Sequence, residues 1–317
     1  MGKRQKTGWP ALLALLLCLG LCGCSLLGGF FSGEDAGSAS EEQEPEIEPE
    51  YPVTVGGVAV ESRPGKIVSL SPSLTEKLCD LKAGGRLVGV SDSCDYPPAA
   101  AALPSCGTVL LPDLEAILAL SPHLVLSASE LPAQATEALA AAGIPVAVFP
   151  RADSLEELWA QYEDLAALLD GGVSGAAAGA AFVADFEARL DELTRAAGEE
   201  EPLPALYLRM LDFTVATGDT LENELMERIG LRNIASGYTG WQYPADAAQD
   251  SGDFAQLKII YCDEASVDIK MLEGSAFYRT LPAVLYDWYY YIDADIFERQ
   301  SLRMLDQLAG MQGAIGD

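Results

Sequence analysis

The stretch VSGAAAGAAFVADFEARLDELTRAA, residues 173–197, decides how the rest of this 317-residue chain is organised. Its large apolar residues recur every three or four positions, which places them on one face of a helix. They are Phe182, Phe186, Leu190, Leu193 and Ala197. Glycines at 171, 172 and 198 flank the stretch, as is typical of helix ends. A helix of this length would be roughly 37 Å long, about one domain diameter. We therefore predict a linker helix over residues 173–198 that joins two lobes.

The sequence before this helix alternates short apolar runs with helical patterns, which predicts a parallel sheet covered by helices on both faces. The predicted strands are Lys66–Leu70, Arg86–Val90, Leu124–Leu126 and Pro145–Phe149, after a hairpin over Tyr51–Val60. Ser73 with Glu76, and Ser154 with Glu157, have the spacing of capping boxes. Residues 53–172 are predicted to form the first α/β lobe.

The sequence after the helix has the same character. The predicted strands are Leu206–Leu211, Leu231–Ala235, Lys258–Tyr261 and Trp288–Ile292. Asp219 can cap a helix, with Glu222 three residues on. Residues 199–317 are predicted to form the second lobe. The predicted fold class is α/β, with two Rossmann-like lobes of mostly parallel sheet and a ligand cleft between them.

The amino terminus has the pattern of a secretion signal. Lys3, Arg4 and Lys6 precede an apolar run over 11–21 that is short for a membrane span. Residues 1–23 are predicted to be a signal peptide, and the Gly23–Cys24 pair to be a lipoprotein processing site with lipid on Cys24. Residues 24–52 are rich in Gly, Ser and Glu and are predicted to be a disordered tether.

Charge and histidine content exclude several classes of function. The formal net charge is −29, and removal of the predicted signal peptide would make it −32. Such a surface is a poor partner for nucleic acid. The single histidine, His123, excludes multi-histidine zinc sites and is predicted to lie in a surface loop. We expect no cofactor and no enzymatic activity.

Four cysteines remain after Cys24, and they allow three disulfide connectivities. Cys94 and Cys106 bracket a short loop and are the favoured pair if the chain is secreted. Cys79 and Cys262 are predicted to be small buried apolar residues.

Four blocks of the sequence resemble, in order and spacing, the substrate-binding lipoproteins of ABC importers for cobalamin and iron–siderophore complexes. They are IVSLSPSLTE at 67–76, LVGVS at 87–91, CDYPP at 94–98 and LEAILALSPHLV at 114–125. The resemblance continues, with gaps, to the carboxyl terminus. It implies two α/β lobes joined by one long helix, no reaction, and delivery of a captured ligand to a permease and its ATPase.

The strand ends and the resemblance together indicate ligand-binding residues, because ligands of α/β lobes sit at the carboxyl ends of strands. The predicted set is Asp95, Tyr96, Arg209, Trp241, Asp295 and Phe297. The resemblance implies that Asp295 and Trp241 face a corrinoid, although Trp241 is equally compatible with a packed core. Val109–Leu110 stand where cobalamin-binding relatives have a cleft tryptophan, so the ligand remains open: a corrinoid, or an iron–siderophore or haem complex that would use Arg209.

The resemblance also implies one acid on each lobe that docks onto arginines of the permease. Glu115 matches the first position, and Asp250 is the nearest acid to the second. We predict a monomeric, lipid-anchored extracytoplasmic protein, on the surface of a Gram-positive cell, with small lobe closure. A lipid-anchored chelatase is a remote alternative.

Overall fold

The computed structural model describes residues 50–198, 201–209, 212–243, 252–263 and 270–315. The predicted signal peptide, Cys24, most of the predicted tether and Asp250 lie outside these ranges. Within them, no helix is both long and apolar enough to cross a membrane.

The first lobe is built on a parallel sheet of four strands in the order β4-β3-β5-β6. A two-stranded antiparallel hairpin precedes it, as predicted. The strands are β1 (Val53–Val55), β2 (Val58–Val60), β3 (Ile67–Ser69), β4 (Leu87–Val90), β5 (Leu124–Ser127) and β6 (Val146–Val148). The helices are α1 (Pro72–Asp80), α2 (Pro98–Ala101), α3 (Leu114–Leu120), α4 (Ala133–Ala141) and α5 (Leu155–Asp170), with a 3-10 turn at Gly84–Arg86.

The second lobe has a five-stranded sheet in which β7 pairs in parallel with β9 and β10, β10 with β11, and β8 lies antiparallel to β7. Its strands are β7 (Leu203–Arg209), β8 (Thr214–Val215), β9 (Leu231–Asn233), β10 (Ile259–Asp263) and β11 (Tyr289–Ile292). Its helices are α7 (Leu221–Arg228), α8 (Lys270–Gly274), α9 (Pro282–Leu285), α10 (Ala294–Glu298) and α11 (Met304–Gly313), with 3-10 turns at Gly252–Gln256 and Tyr278–Thr280.

Both sheets are covered on both faces, because successive strand residues point to opposite sides. In β3, Ile67 packs on the side of α1, and Val68 packs on the side of α3 and α4. In β10, Tyr261 and Cys262 divide in the same way between two apolar clusters. The predicted α/β fold class and the buried position of Cys262 are confirmed.

The linker helix, α6, runs from Ser174 to Ala197 as predicted, but it does not stand alone between the lobes. It packs along α5, where Gly175 and Gly179 allow the two backbones to approach closely. Phe182 and Phe186 of α6 contact Tyr162 of α5 through their rings. The apolar cluster that contains these side chains continues into the second lobe, so the packing does not follow the predicted boundary at residue 172.

The chain enters the first lobe earlier than predicted. Glu50 accepts hydrogen bonds from the backbone amides of Val173 and Ser174, and the Tyr51 hydroxyl donates to the carbonyl of Leu168. The carboxylate of Glu50 thereby serves the exposed amides at the start of α6, where Val173 provides no side-chain cap. Residues 50–52 therefore do not belong to a disordered tether.

The predicted disulfide between Cys94 and Cys106 is not formed in this structure, where both are free, buried thiols. Cys94 lies 3.2 Å from the Thr75 hydroxyl, on the α1 side of the first sheet. Cys106 belongs to the apolar cluster on the opposite side, with Val68 and Ile117. Burial raises the pKa of Cys106 to about 11, so this thiol stays protonated at neutral pH. Proximity in sequence misled the prediction, because the sheet separates the two side chains.

We predict that Gly175→Ala destabilises the protein, because a Cβ at this position would lie 2.3 Å from the carbonyl oxygen of Ala166. The overpacking should lower the free energy of unfolding by about 1–3 kcal/mol in a urea titration. Gly313→Ala in α11 is the control, since a Cβ there meets nothing within 4 Å. Equal urea midpoints for the two variants would show that the α5–α6 contact is not close packed.

Candidate functional site

The segment Glu298–Arg303, which we call the bridging segment, leaves α10 of the second lobe and bonds to the first lobe. Gln300 donates to the carbonyl of Ala152 at 2.6 Å and accepts from the same residue's amide at 2.9 Å. The Ser73 hydroxyl donates to the carbonyl of Arg299 at 2.6 Å. These contacts lie at the carboxyl ends of β3 and β6, the edge at which the sequence predicts the cleft.

Glu76 is the buried acid to which the bridging segment binds. Its carboxylate accepts hydrogen bonds from Arg299 and Arg303, both at 2.9 Å, and from the Ser301 hydroxyl at 2.6 Å. The predicted capping box of Ser73 and Glu76 is wrong, because Ser71 is the residue that caps α1. Glu76 instead supplies a buried carboxylate at the boundary between the two lobes.

Arg299 brings together two of the predicted ligand-binding acids. Its guanidinium donates to both carboxylate oxygens of Asp95 on the first lobe and lies 3.8 Å from Asp295 on the second. The hydrogen bonds from Arg299 lower the pKa of Asp95. The side chain of Asp295 is 84% exposed and remains available to a ligand. Asp95 and Asp295 thus lie on either side of Arg299, which the sequence analysis missed. We call the place where these side chains meet, at the boundary between the lobes, the groove.

Tyr96 and Phe297 differ in their access to this groove. The Tyr96 ring is partly exposed and lies 3.7 Å from the guanidinium carbon of Arg303. Phe297 is only 1% exposed and packs edge-on against Tyr207 inside the second lobe. The prediction that Phe297 binds the ligand is therefore corrected: its position on the inner face of α10 makes it a core residue.

Trp241 forms the second-lobe side of the site together with Arg209. The guanidinium carbon of Arg209 is 3.6 Å from the centre of the Trp241 ring, a cation–π contact. Arg209 also bonds to both carboxylate oxygens of Glu298 at 3.1 Å, and the Tyr207 hydroxyl donates to the same carboxylate at 2.8 Å. Arg209 and Trp241, both predicted to bind ligand, are thus in contact. The charge of Arg209 is already balanced by Glu298.

Arg151 and Glu222 form a second ion pair across the lobe boundary. Arg151 follows β6, donates to a carboxylate oxygen of Glu222 on α7, and donates to the carbonyl of Glu298 at 3.0 Å. Burial raises the pKa of Glu222, and the charge of Arg151 opposes that rise. The helix cap predicted for Asp219 is wrong, because Thr220 caps α7. Glu222 is therefore free to face Arg151.

Charge is nearly balanced around the groove. Each of the four arginines, at 151, 209, 299 and 303, is paired with a carboxylate across the lobe boundary or within the second lobe. The carboxylates are Glu76, Asp95, Glu222, Asp295 and Glu298. Within the described ranges, no group of three or more His, Cys, Asp or Glu is arranged to hold a metal ion.

Lys77 is a buried base beside this network. Its ammonium donates to the side-chain oxygen of Gln161 at 2.6 Å and lies 5.6 Å from the centre of the Tyr162 ring. Burial, reinforced by the positive charge of Arg151, lowers the pKa of Lys77 to about 7, while Asp80 acts in the opposite direction. A large fraction of this side chain is therefore neutral at physiological pH.

The remaining predicted residues lie outside the groove network. Glu115 is exposed in the first turn of α3, as a docking acid requires. His123 is exposed in a loop and accepts a hydrogen bond from the Gly65 amide at 3.0 Å, which confirms the surface position. Sequence reasoning missed the groove residues at 76, 151, 222, 299 and 303. The useful signal was position: Arg151 directly follows a predicted strand, at the end where ligand sites of α/β lobes lie.

Comparisons with known proteins agree with this architecture. A family described as "Periplasmic binding protein" matches residues 67–282. An uncharacterized ABC transporter substrate-binding lipoprotein of Bacillus subtilis is 27% identical, covering 96% of this chain and 95% of its own length. A vitamin B12-binding protein of Pectobacterium atrosepticum is 29% identical over 56% of this chain and 64% of its own. A possible iron-binding, periplasmic solute-binding protein of Staphylococcus epidermidis has the same fold, with a TM-score of 0.67 and 19% identity over 81% of this chain and all of the solved one.

We predict that Arg151→Met destabilises the protein by about 3–5 kcal/mol, because it leaves the carboxylate of Glu222 buried without its counter-charge. Replacing both residues by Met should cost less than the single change at Arg151, since no unpaired charge remains. Urea unfolding of the two single variants and the double variant measures the coupling. Additive losses would mean that the pair does not couple the two lobes.

We predict that Lys77→Met flattens the rise of stability with pH. The ordinary pKa of lysine is 10.5 and that of folded Lys77 is about 7, so between these values the unfolded chain binds a proton that the folded protein does not. The free energy of unfolding of the wild type should therefore increase with pH in this window, by up to about 1.4 kcal/mol per pH unit.

Urea unfolding at roughly pH 7.5 and roughly pH 9.5 tests this prediction. Lys82→Met, at an exposed position just past α1, is the control and should keep the wild-type slope. A Lys77→Met protein with the wild-type slope would contradict the assignment of the proton to Lys77.

Proposed function

The chain belongs to the periplasmic binding protein family, and from this premise we propose that it captures cobalamin or a related corrinoid for an ABC importer. Members of the family are transport substrate-binding proteins and not enzymes, so the chelatase alternative is set aside. A substrate-binding role in an ABC transporter agrees with the Bacillus subtilis relative, which matches over nearly the full length of both chains. The proposal adds that the substrate is a corrinoid.

The proposal rests on one observation: each of the four groove arginines, at 151, 209, 299 and 303, is already paired with a carboxylate. A ligand with several negative charges would have to displace Glu298 from Arg209, or Asp95 from Arg299, before it gained a positive partner. Breaking a partly buried ion pair leaves its carboxylate without compensation. The groove therefore favours a neutral or weakly charged ligand over a polyanionic one.

The available polar groups suit a ligand that donates hydrogen bonds. Asp295 is largely exposed, and Asp95 has exposed carboxylate surface beside Arg299. A carboxylate can accept hydrogen bonds from the amide arms of a corrinoid, and charge-assisted bonds of this kind are strong. The Tyr96 ring adds a partly exposed aromatic surface to the same groove.

A ferric chelate or haem is the second candidate. Tyr96 and Arg209 are the residues that favour it, and a relative of the same fold is described as possibly iron-binding. Arg209 would serve an anionic chelate only after it left Glu298. The charge balance therefore places this candidate behind the corrinoid.

We further propose that the protein works outside the cytoplasmic membrane, anchored through lipid on Cys24 and docked on a permease that is driven by an ATPase. The amino-terminal signal pattern and the lipoprotein relative of Bacillus subtilis support this location. The acidic sequence after Cys24 would act as the tether, and Glu115 as the first-lobe docking acid. The second-lobe acid stays a proposal at Asp250, and the protein is proposed to act as a monomer.

Titration of the purified protein with cyanocobalamin, haem, a ferric hydroxamate and a ferric catecholate tests the ligand. Visible absorbance and tryptophan fluorescence should report saturable binding of cyanocobalamin and none of the ferric catecholate. Asp295→Ala should weaken cyanocobalamin binding about tenfold, which corresponds to about 1.4 kcal/mol. Glu137→Ala, an exposed acid on α4 of the first lobe, is the matched control and should bind as the wild type does.

The variant Glu298→Gln tests whether the pairing of Arg209 with a carboxylate disfavours anionic ligands. Because this change leaves Arg209 without its carboxylate, the variant should bind haem, with its two propionates, more tightly than the wild type does. Tight binding of the ferric catecholate or haem by the wild type would refute the corrinoid proposal and leave the family assignment intact.

A further inference from the structure

The accessible charges of the groove are negative, although the groove contains four arginines. The side chains of Asp95 and Asp295 are 66% and 84% exposed. The four arginine side chains, by contrast, are between 12% and 28% exposed. A ligand that enters the groove therefore meets carboxylate oxygens before it meets guanidinium groups.

Arg299 cannot balance the acids that surround it. Its guanidinium donates to Glu76 at 2.9 Å and to both carboxylate oxygens of Asp95, and it lies 3.8 Å from Asp295, beyond hydrogen-bond distance. Arg303 adds a second cation, but it is also bonded to Glu76. Three carboxylates thus share two guanidinium groups, which leaves a formal charge of −1 among these five side chains.

The other named charges of the groove balance each other. Arg151 pairs with Glu222, and Arg209 pairs with Glu298, so two cations meet two carboxylates. These arginines are not free to move toward the remaining acids, because a shift of Arg151 would leave the buried carboxylate of Glu222 without its counter-charge. The excess negative charge therefore stays on the exposed acids beside Arg299.

We propose that the groove selects its ligand by the sign of the charge, and that the preferred class is a metal chelate with a net positive charge. Asp295, the most exposed of the named groove acids, is the residue that determines this specificity. A cleft lined by charges of one sign concentrates ligands of the opposite sign, and the formal charge of −29 on the whole chain acts in the same direction. This inference rests on the proposed ligand site and adds the charge of the ligand.

Two pairs of ligands of similar size but different charge test the proposal. Aquocobalamin carries a positive charge on the corrinoid that is neutral as cyanocobalamin, and ferrioxamine B carries an ammonium group that the neutral, cyclic ferrioxamine E lacks. In equilibrium dialysis at low ionic strength, the full chain should bind the cationic member about threefold to tenfold more tightly, because an exposed charge pair contributes modestly. The second pair also controls for exchange of the cobalt-bound water, since hydroxamate oxygens fill the coordination sphere of its iron.

The variant Asp295→Asn should reduce the preference for the cationic member to less than about twofold, because it removes the charge but keeps the size and a hydrogen-bond acceptor. Its affinity for the neutral member should change less than about threefold. Glu137→Gln is the matched control, since it removes one exposed carboxylate from α4 and should keep the wild-type preference. Salt at about 0.5 M should also reduce the wild-type preference, because it screens exposed charges.

Equal binding of the cationic and neutral members by the wild type would overturn the inference and leave the corrinoid proposal intact. A preference that Asp295→Asn and Glu137→Gln leave unchanged would also overturn it, since the charge would then act from elsewhere. If neither cobalamin binds, the corrinoid proposal fails, and the ferrioxamine pair still decides whether the groove distinguishes charge. If none of the four ligands binds, the inference fails as well, because the groove then takes neither neutral nor cationic chelates.

Discussion

The salt bridges of Glu76 with Arg299 and Arg303 are the interaction on which the site depends. A buried carboxylate is costly unless it is paired, and in this structure both paired guanidinium groups come from the opposite lobe. Separation of the lobes would expose the network to water or leave Glu76 without its partners. Arg151 and Glu222 also form an ion pair between the lobes, and in this pair the first lobe supplies the cation and the second lobe the buried carboxylate. The relative position of the lobes is therefore tied to charge pairing as well as to the connecting helix.

Apolar packing adds to this restraint on the other side of the boundary. Helices α5 and α6 approach closely at Gly175 and Gly179, and their aromatic side chains form one cluster with Tyr207 of the second lobe. A single long helix could bend at its middle, but a helix held along a neighbour for much of its length resists that motion. Ion pairs at the groove and aromatic packing along α6 together favour small lobe movements on ligand binding.

The same ion pairs shape the chemistry that the groove offers. Arginines often mark sites for anionic ligands, yet here Arg209, Arg299 and Arg303 are used to hold the protein together. What remains accessible is carboxylate oxygen, most of all on Asp295, and an aromatic surface on Tyr96. We expect a site of this composition to select by hydrogen bonding and shape more than by net charge, which is the physical argument behind the proposal of a corrinoid ligand.

The sequence by itself determined the order of strands and helices, the linker helix and the α/β class, because these follow from local periodicity and turn residues. It also predicted that Asp95 and Asp295, which both follow strands, lie near each other, and in the structure both lie beside Arg299. Only the tertiary structure decided the roles of Glu76 and Glu222, which have the spacing of helix caps but pair with Arg299 and Arg151 at distances of more than 70 residues along the chain. It also decided that Phe297 is core and that Cys94 and Cys106 lie on opposite faces of a sheet. Local spacing cannot reveal such facts, because they depend on which surfaces meet after the two lobes have packed.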